Sequence, residues 1–365
     1  METEEHRFPC ESCGSDLRFE PGEERLICDH CGNTRPIESS PWTRSEAVAE
    51  RDLVGALKAG LGTAETEETR TSTCPSCGAR VEFDPAVHAK ECPFCATPVV
   101  TDTGPSRQIK PAAVLPFHLD EGEARMAMTQ WLGSLWFAPS GLMEYARKGR
   151  RMSGVYAPCW TFDAETESSY RGQRGIVYHE RMTVTRNGKR ETVNVPKISW
   201  TPVRGRVARF FDDVLVVAST ALPERFRTAL VQWDLTRLEP YQPEYLAGFR
   251  AEAYTIELED AFTEAREIMD RQILRDVKFD IGGDRQRVDD VQTQMSDMTF
   301  KHILVPVWIA AYKYRGRSFR FVVNGQTGQV VGERPWSAWK IALAVLAGLC
   351  VAALAGYLYA EGQAR

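Results

Sequence analysis

Eight of the ten cysteines stand in two quartets: Cys10, Cys13, Cys28 and Cys31, then Cys74, Cys77, Cys92 and Cys95. In each, two C-x-x-C pairs are separated by 14 residues, and the second quartet is the first displaced by 64 positions. Each pair offers two sulfurs to one ion, and the stretch between pairs is long enough for a short β-hairpin. The spacing predicts two zinc ribbons, with these eight residues as ligands of two Zn2+ ions. Four thiolates leave no open coordination position for water, so structural rather than catalytic metal is expected. A disulfide framework would need a secreted chain, and no basic stretch followed by an apolar core opens this sequence. A redox C-x-x-C would stand alone and unrepeated.

The flanks repeat as well: Gly14 and Gly78, Leu17 and Val81, Phe19-Glu20-Pro21 and Phe83-Asp84-Pro85. Residues 1–100 carry 10 Lys and Arg against 19 Asp and Glu, whereas the whole chain has a net charge of −5. Each four-thiolate zinc centre adds a further charge of about −2. Nucleic-acid modules concentrate positive charge to release counterions from phosphates. The acidic ribbon half therefore favours a protein partner, and nucleic acid is not expected there.

At the other end, Ile341–Ala360 is 20 residues without a charge. As a helix this run is about 30 Å long, the thickness of a hydrocarbon core. Trp336 and Trp339 at one edge, with Tyr357 and Tyr359 at the other, predict an interfacial aromatic belt. Arg315, Arg317, Arg320, Arg334 and Lys340 precede the segment, and only Glu361 and Arg365 follow it. The positive-inside rule then keeps the N-terminal domains in the cytoplasm, with a single pass through the cytoplasmic membrane as a tail anchor. Ala344, Gly348, Ala352 and Gly356 recur at i+4 and form a small-residue stripe on which another helix could pack.

The elements that must carry these sites give an α+β chain. Ribbon 1 occupies 1–40, a helix (44–61) and acidic linker 41–70, ribbon 2 71–100, a second linker 101–111, an α+β region 112–335 and the membrane helix 336–360. The linkers predict ribbons that move freely. The central region reads as duplicated, over about 112–217 and 250–335. Each half has a strand, a helix (through Ala124, Met128, Trp131 and Leu132, or Ala265, Ile268, Met269 and Ile273), a Pro-x-Trp strand and a Tyr-Arg-Gly turn. The Pro-x-Trp strands are VYAPCW (155–160) and LVPVW (304–308); the turns are Tyr170-Arg171-Gly172 and Tyr314-Arg315-Gly316. Asn187-Gly188 and Asn324-Gly325 are hairpin signals.

No catalytic constellation is expected. There is no phosphate-binding G-x-x-x-x-G-K-[ST] loop, no H-E-x-x-H, no G-x-S-x-G and no kinase motif set. The six histidines (6, 30, 88, 118, 179 and 302) do not cluster, and Cys159 and Cys350 read as apolar fillers. Asp163, Glu165 and Glu167 alternate and read as a solvated strand face. The basic clusters 147–151, Arg204/Arg206/Arg209 and Arg315/Arg317/Arg320 read as charges near an anionic leaflet.

Cys10-x-x-Cys13-Gly14 with Leu26-Ile27-Cys28-Asp29-His30-Cys31-Gly32-Asn33 resembles the zinc-binding insert of the primosomal replication-restart helicase (primosomal protein N′, replication factor Y). That likeness covers about 30 residues and excludes the helicase motor. Over roughly 1–360 the chain resembles a bacterial membrane-anchored zinc-ribbon family often catalogued under that superfamily II helicase-like label. The residues that carry this are the ribbons, Leu115-Pro116-Phe117, Trp136-Phe137-Ala138-Pro139, Gly154-Val155-Tyr156-Ala157-Pro158-x-Trp160 and Asn324-Gly325-x-Thr327-Gly328. The resemblance implies a scaffold encoded near SPFH-domain or phage-shock-type envelope-stress proteins, and no catalytic residues. The expected function is a cytoplasmic adaptor that binds protein partners at the inner face of the membrane. The alternative is a nucleic-acid-binding accessory of replication without its own motor.

Overall fold

The computed structural model describes residues 8–38, 50–59, 66–82, 89–95, 98–100, 104–138, 152–186, 189–230, 232–314, 317–334 and 336–363. In chain order the first ribbon is β1 (Leu17–Phe19), β2 (Arg25–Cys28) and β3 (Thr34–Pro36), an antiparallel sheet of its own. Strand β4 (Arg51–Asp52) leads into helix α1 (Leu53–Ala59), where the sequence predicted a longer helix from Arg44. Residues 44–49 and 60–61 of that expectation lie outside the described residues, and Arg51–Asp52 are strand instead. The second ribbon follows, as β5 (Thr66–Thr73), β6 (Arg80–Glu82), β7 (Ala89–Glu91) and β8 (Pro98–Val100), then β9 (Gly104–Ile109).

The central region opens with β10 (Ala113–Val114) and α2 (Glu121–Ser134). Asp120 caps α2 with a full capping box: its carboxylate accepts from Glu123 N and the Glu123 carboxylate accepts from Asp120 N. Two very long strands, β11 (Ser153–Arg186) and β12 (Lys189–Val217), form one hairpin. Its turn, Asn187-Gly188, lies outside the described residues, but Arg186 pairs with Lys189 as a two-residue loop requires. A short turn α3 (Glu224–Arg227), β13 (Glu239–Pro240) and β14 (Arg250–Ala253) lead to α4 (Leu258–Ile281). Then come β15 (Arg285–Tyr314), β16 (Arg317–Asn324), β17 (Val330–Gly332) and α5 (Ala338–Gln363).

The centre is β11 lying antiparallel to β15. The pairing around them is reciprocal: β10 runs parallel to β15 at 303–304, and β14 runs parallel to β11 at 155–156. Tyr170-Arg171-Gly172 is not a turn, because β11 runs straight through it. The room for that is made by Gly172, where an added Cβ would come within 2.5 Å of the Arg287 carbonyl oxygen. The second Tyr-Arg-Gly does fall between β15 and β16, with residues 315–316 outside the described residues.

The ribbons are built in rather than tethered, contrary to the expectation from the linkers. Alternate residues of a strand face opposite sides of a sheet. On one side Val155, Ala157, Cys159, Ile303, Val305 and Val307 pack with Cys74, Val81, Cys92 and Phe94 of ribbon 2. On the other, Tyr156, Leu304 and Trp308 pack with Cys10, Phe19, Leu26 and Cys28 of ribbon 1. A strand covered on both faces must be apolar at every position, which is why VYAPCW shows no alternation. Backbone bonds fasten the first ribbon: Phe19 N donates to Ala247 O (2.9 Å) and Gly22 N to Phe117 O (2.9 Å). The second ribbon joins the main sheet through β6, which pairs with β14 and β5. Both sequence linkers are strands, since β5 pairs with β9 from Thr66↔Ile109 to Thr71↔Gly104. The acidic, Thr-rich composition of 63–73 signalled solvent exposure and concealed a strand.

A third core lies under α4. Its buried Ala261, Ala265, Met269, Ile273, Val277 and Ile281 recur at helical spacing and cover Phe162, Ala164, Tyr170 and Phe211. The helix ends at Gly282 (φ +67°), and Arg174 Nε donates to the Ile281 carbonyl there.

Candidate metal centres and polar clusters

The two predicted quartets are assembled. In ribbon 1 the sulfurs of Cys10 and Cys31 lie 3.6 Å apart and those of Cys13 and Cys28 3.5 Å. In ribbon 2, Cys74 and Cys95 are 3.6 Å apart, as are Cys77 and Cys92. All four ligand atoms of each group lie within 4.8 Å of one another. Four sulfurs at about 2.3 Å from a central zinc would be ~3.8 Å apart, so both cages have the size of a tetrahedral thiolate site. They are far too wide for disulfides, whose sulfurs sit at about 2.05 Å.

The local chain explains the cages. Gly14, Gly32 and Gly78 have φ of +75°, +73° and +75°, and each donates its N–H to the carbonyl of the knuckle's first cysteine at 2.8–2.9 Å. That left-handed turn is cheap only for glycine, and it explains the glycine after Cys13, Cys31 and Cys77. Cys10 is drawn down to about 6: burial opposes ionisation, but the backbone N–H groups of Ser12 and Cys13 and donors from Cys31 and Asn33 outweigh it. Cys92 falls to about 5, chiefly because Cys77 donates to it, and Cys77 is raised correspondingly. Other sulfurs of each cage go the opposite way: against the Asn33 N–H, the neighbouring cysteines and burial raise Cys31, and burial with the neighbouring thiols raises Cys74, so a cation must displace protons to bind. His30 is exposed beside the first cage and is no part of it.

The acidic stretch of β11 corrects one expectation. Glu165 and Glu167 are exposed, but Asp163 is buried. Both neighbouring strands bulge at its level, with Asp213 (φ +52°) on β12 and Asp297 (φ +49°) on β15 in the left-handed region. Asp163 accepts from Asp213 N (2.5 Å) and from Thr299 Oγ1 (3.1 Å). The buried Lys301 ammonium lies 2.8 Å from Asp213 Oδ1 and 3.4 Å from Glu50 Oε1. Burial raises Asp163 to about 6. Lys301 occupies the cationic position among these carboxylates, so the cluster is an internal ion-pair network. A sequence reading misses it because Asp163 stays on the face of Glu165 and Glu167 and is covered there by Glu50, Asp213 and Lys301, which come from segments distant in sequence.

Two further polar groups are buried. Glu252 accepts from Ser219 Oγ (2.7 Å) through one oxygen, while Oε2 has no hydrogen-bond partner, and burial pushes it up to about 8. His302 packs against Trp160 with its ring tilted by 38°, holds Ile109 O at 2.7 Å through Nδ1 and is pushed down to about 4 by burial. Cys159 is a buried thiol raised by burial.

The basic groups separate. Arg147, Lys148, Arg150, Arg151 and Arg315 lie outside the described residues. Arg209 pairs with Asp276 of α4 (2.5 and 2.9 Å). Arg204 and Arg206 are not beside the apolar helix. Strand β11 starts level with β16 and β17, which lead into α5, and Arg171, opposite Arg204, is about 60 Å further along at ~3.3 Å per residue. Cross-strand pairing puts Arg171, Arg204, Arg206, Arg285, Arg287 and Trp200 on the sheet face opposite α4.

Past Gly175, where pairing with β15 ends, β11 and β12 continue alone. The α4-facing side of this arm carries Ile176, Tyr178, Met182, Val184 and Val193, each 44–46% exposed. Helix α5 is long and apolar enough to cross a membrane over Ala338–Tyr357, and none of that window is buried. Ala344, Gly348, Ala352 and Gly356 are exposed along it.

Comparison with known proteins adds one relative. The chain is 26% identical over 347 residues to YdjG, described as an uncharacterized protein of Bacillus subtilis (strain 168), with 92% of each chain covered. No family profile and no solved structure matches the chain.

Proposed function

We propose that this protein is a membrane-anchored adaptor whose two ribbons, each holding one Zn2+, brace a sheet that carries a partner-binding arm. The observation behind this reading is the arrangement along β11. At one end two thiolate cages clamp opposite faces of the strand; at the other a largely apolar sheet face, interrupted by the Glu180–Lys197 ion pair, runs on beyond the end of α4 with nothing packed on it among the described residues. Monomeric proteins rarely expose contiguous apolar surface without a partner. α5 would cross the cytoplasmic membrane once, with the body on the cytoplasmic side, where thiols stay reduced. The stripe Ala344, Gly348, Ala352 and Gly356 would allow helix association within the bilayer. The reciprocal pairing of β10 with β15 and β14 with β11 supports descent of 112–217 and 250–335 from one duplicated unit. The resemblance to zinc-ribbon relatives of SPFH-domain or phage-shock-type systems points to proteins of that kind as partners.

The ribbons themselves are poor docking knuckles, because their cores are spent against the sheet. Replacing Cys10 and Cys13 would abolish binding by damaging the fold. The arm is the cleaner target. Full-length protein with p-benzoylphenylalanine at Tyr178 should crosslink one defined partner, and Met182→Glu with Val184→Glu should remove the adduct while metal content stays at two per chain. An adduct that survives both charges, or none in native membranes, defeats the reading.

A second reading has one observation in its favour, the row of Arg171, Arg204, Arg206, Arg285 and Arg287 beside Trp200. A nucleic-acid accessory would bind single-stranded DNA there with steep salt dependence, and Arg204→Glu with Arg206→Glu would flatten the slope. The adaptor reading expects no such binding.

A further inference from the structure

We propose that Trp136 and Phe137 form a second membrane contact, lodging in the headgroup–acyl boundary beside the start of α5. The body would then be fixed against the bilayer and would not swing on its helix. This inference rests on the reading of α5 as membrane-spanning.

Trp136 is 83% exposed at the tip of the turn that follows α2. A lone exposed leucine is ordinary; an indole so fully in solvent is not, since tryptophan carries a large apolar area with one polar tip. The turn is also fastened to the first turn of α5, two hundred residues later. Lys340 Nζ donates to the carbonyls of Trp136 (3.3 Å) and Ala138 (2.8 Å), and Ser337 N donates to Phe137 O (2.8 Å). The Phe137 and Trp336 rings lie 6.5 Å apart, and the Arg334 guanidinium sits 4.2 Å over Trp336.

These bonds hold Trp136 at the level of Lys340, where the apolar span begins. Trp336 and Trp339 are exposed at the same level, by 58% and 67%. Three indoles from two distant segments therefore gather at one end of an apolar helix, with Arg334 and Lys340 beside them. That is the composition of a membrane–water boundary, where amphipathic rings sit among headgroups and cations meet anionic lipid. The turn is rigid with respect to the body, because Ala124, Met128 and Leu132 of α2 are buried in the ribbon 1 core. A bilayer that accepts Trp136 would thereby orient the whole sheet.

The test uses the full chain in nanodiscs of phosphatidylcholine and phosphatidylglycerol. p-Benzoylphenylalanine is placed singly at Trp136, at Trp339, or at Phe279, which is 90% exposed on α4. After irradiation, mass spectrometry should find lipid adducts at 136 and 339 and none at 279. A lipid adduct at 339 without one at 136, or a polypeptide adduct at 136, overturns the inference and leaves the span intact. Absence of lipid at both positions overturns the inference together with the span.

Discussion

At the scale of single residues, chemistry and architecture part company at Asp163. Its neighbours Glu165 and Glu167 stand exposed on the same strand face, but at the level of Asp163 the bulged flanking strands and Glu50 close over it in the Lys301 network. Removing one partner of a buried pair strands the remaining charges. Lys301→Met should therefore cost about 3 kcal/mol, and adding Asp213→Asn should recover part of it, as read by urea unfolding. Glu252 makes a separate prediction. Its folded value of about 8 lies above the ordinary 4.5, so the folded chain keeps a proton that the unfolded chain has released. Stability then falls as pH rises from about 4.5 to 8. Glu252→Gln should raise the melting temperature much more at pH 8 than at pH 5.5, with zinc saturating. Equal shifts at both values would show that the carboxylate is not the cause.

Among elements, the ribbons behave as two independent clamps, because strand alternation puts them on opposite faces of β11. Zinc supplies roughly 10–16 kcal/mol to sites of this kind, comparable with the whole stability of an ordinary domain. Cys92→Ser should raise amide exchange in β6 and β14, whereas Cys10→Ser should raise it in β1, β2 and residues 245–249. Exchange that rises over both regions in either variant would mean the clamps are coupled. The helices α2 and α4 were legible from their periodicity: of the predicted apolar positions, Ala124, Met128, Leu132, Ala265, Met269 and Ile273 are buried, and Trp131 and Ile268 are half-buried at the margins of the same faces. Strands β5 and β9 were not, since an acidic edge and a Gly-Pro segment carry no pattern of their own and become strands by pairing with each other and, for β5, with β6. Tyr170-Arg171-Gly172 read as a turn because Gly172 invites one, yet here glycine serves the close approach of Arg287.

For the whole molecule, the long strand β11 separates two ends: the doubly clamped end level with β16 and β17, which lead into α5, and the arm at the other. A chain ending at residue 337 should leave the membrane fraction while keeping two metal ions per chain by native mass spectrometry. Retention of that fragment on membranes would show that α5 is not what holds the protein there.

What the sequence alone determined is local: the membership of each thiolate quartet, the left-handed glycines beside them, the periodic faces of two helices and the apolar segment at the C-terminal end. Each is fixed by neighbours within a few residues or by one repeated spacing. Only the tertiary structure decided that the ribbons clamp opposite faces of one strand, that Asp163 meets Lys301, and that Trp136 stands beside Lys340. Those depend on pairing register and on contacts between segments about a hundred residues or more apart, which no local pattern encodes.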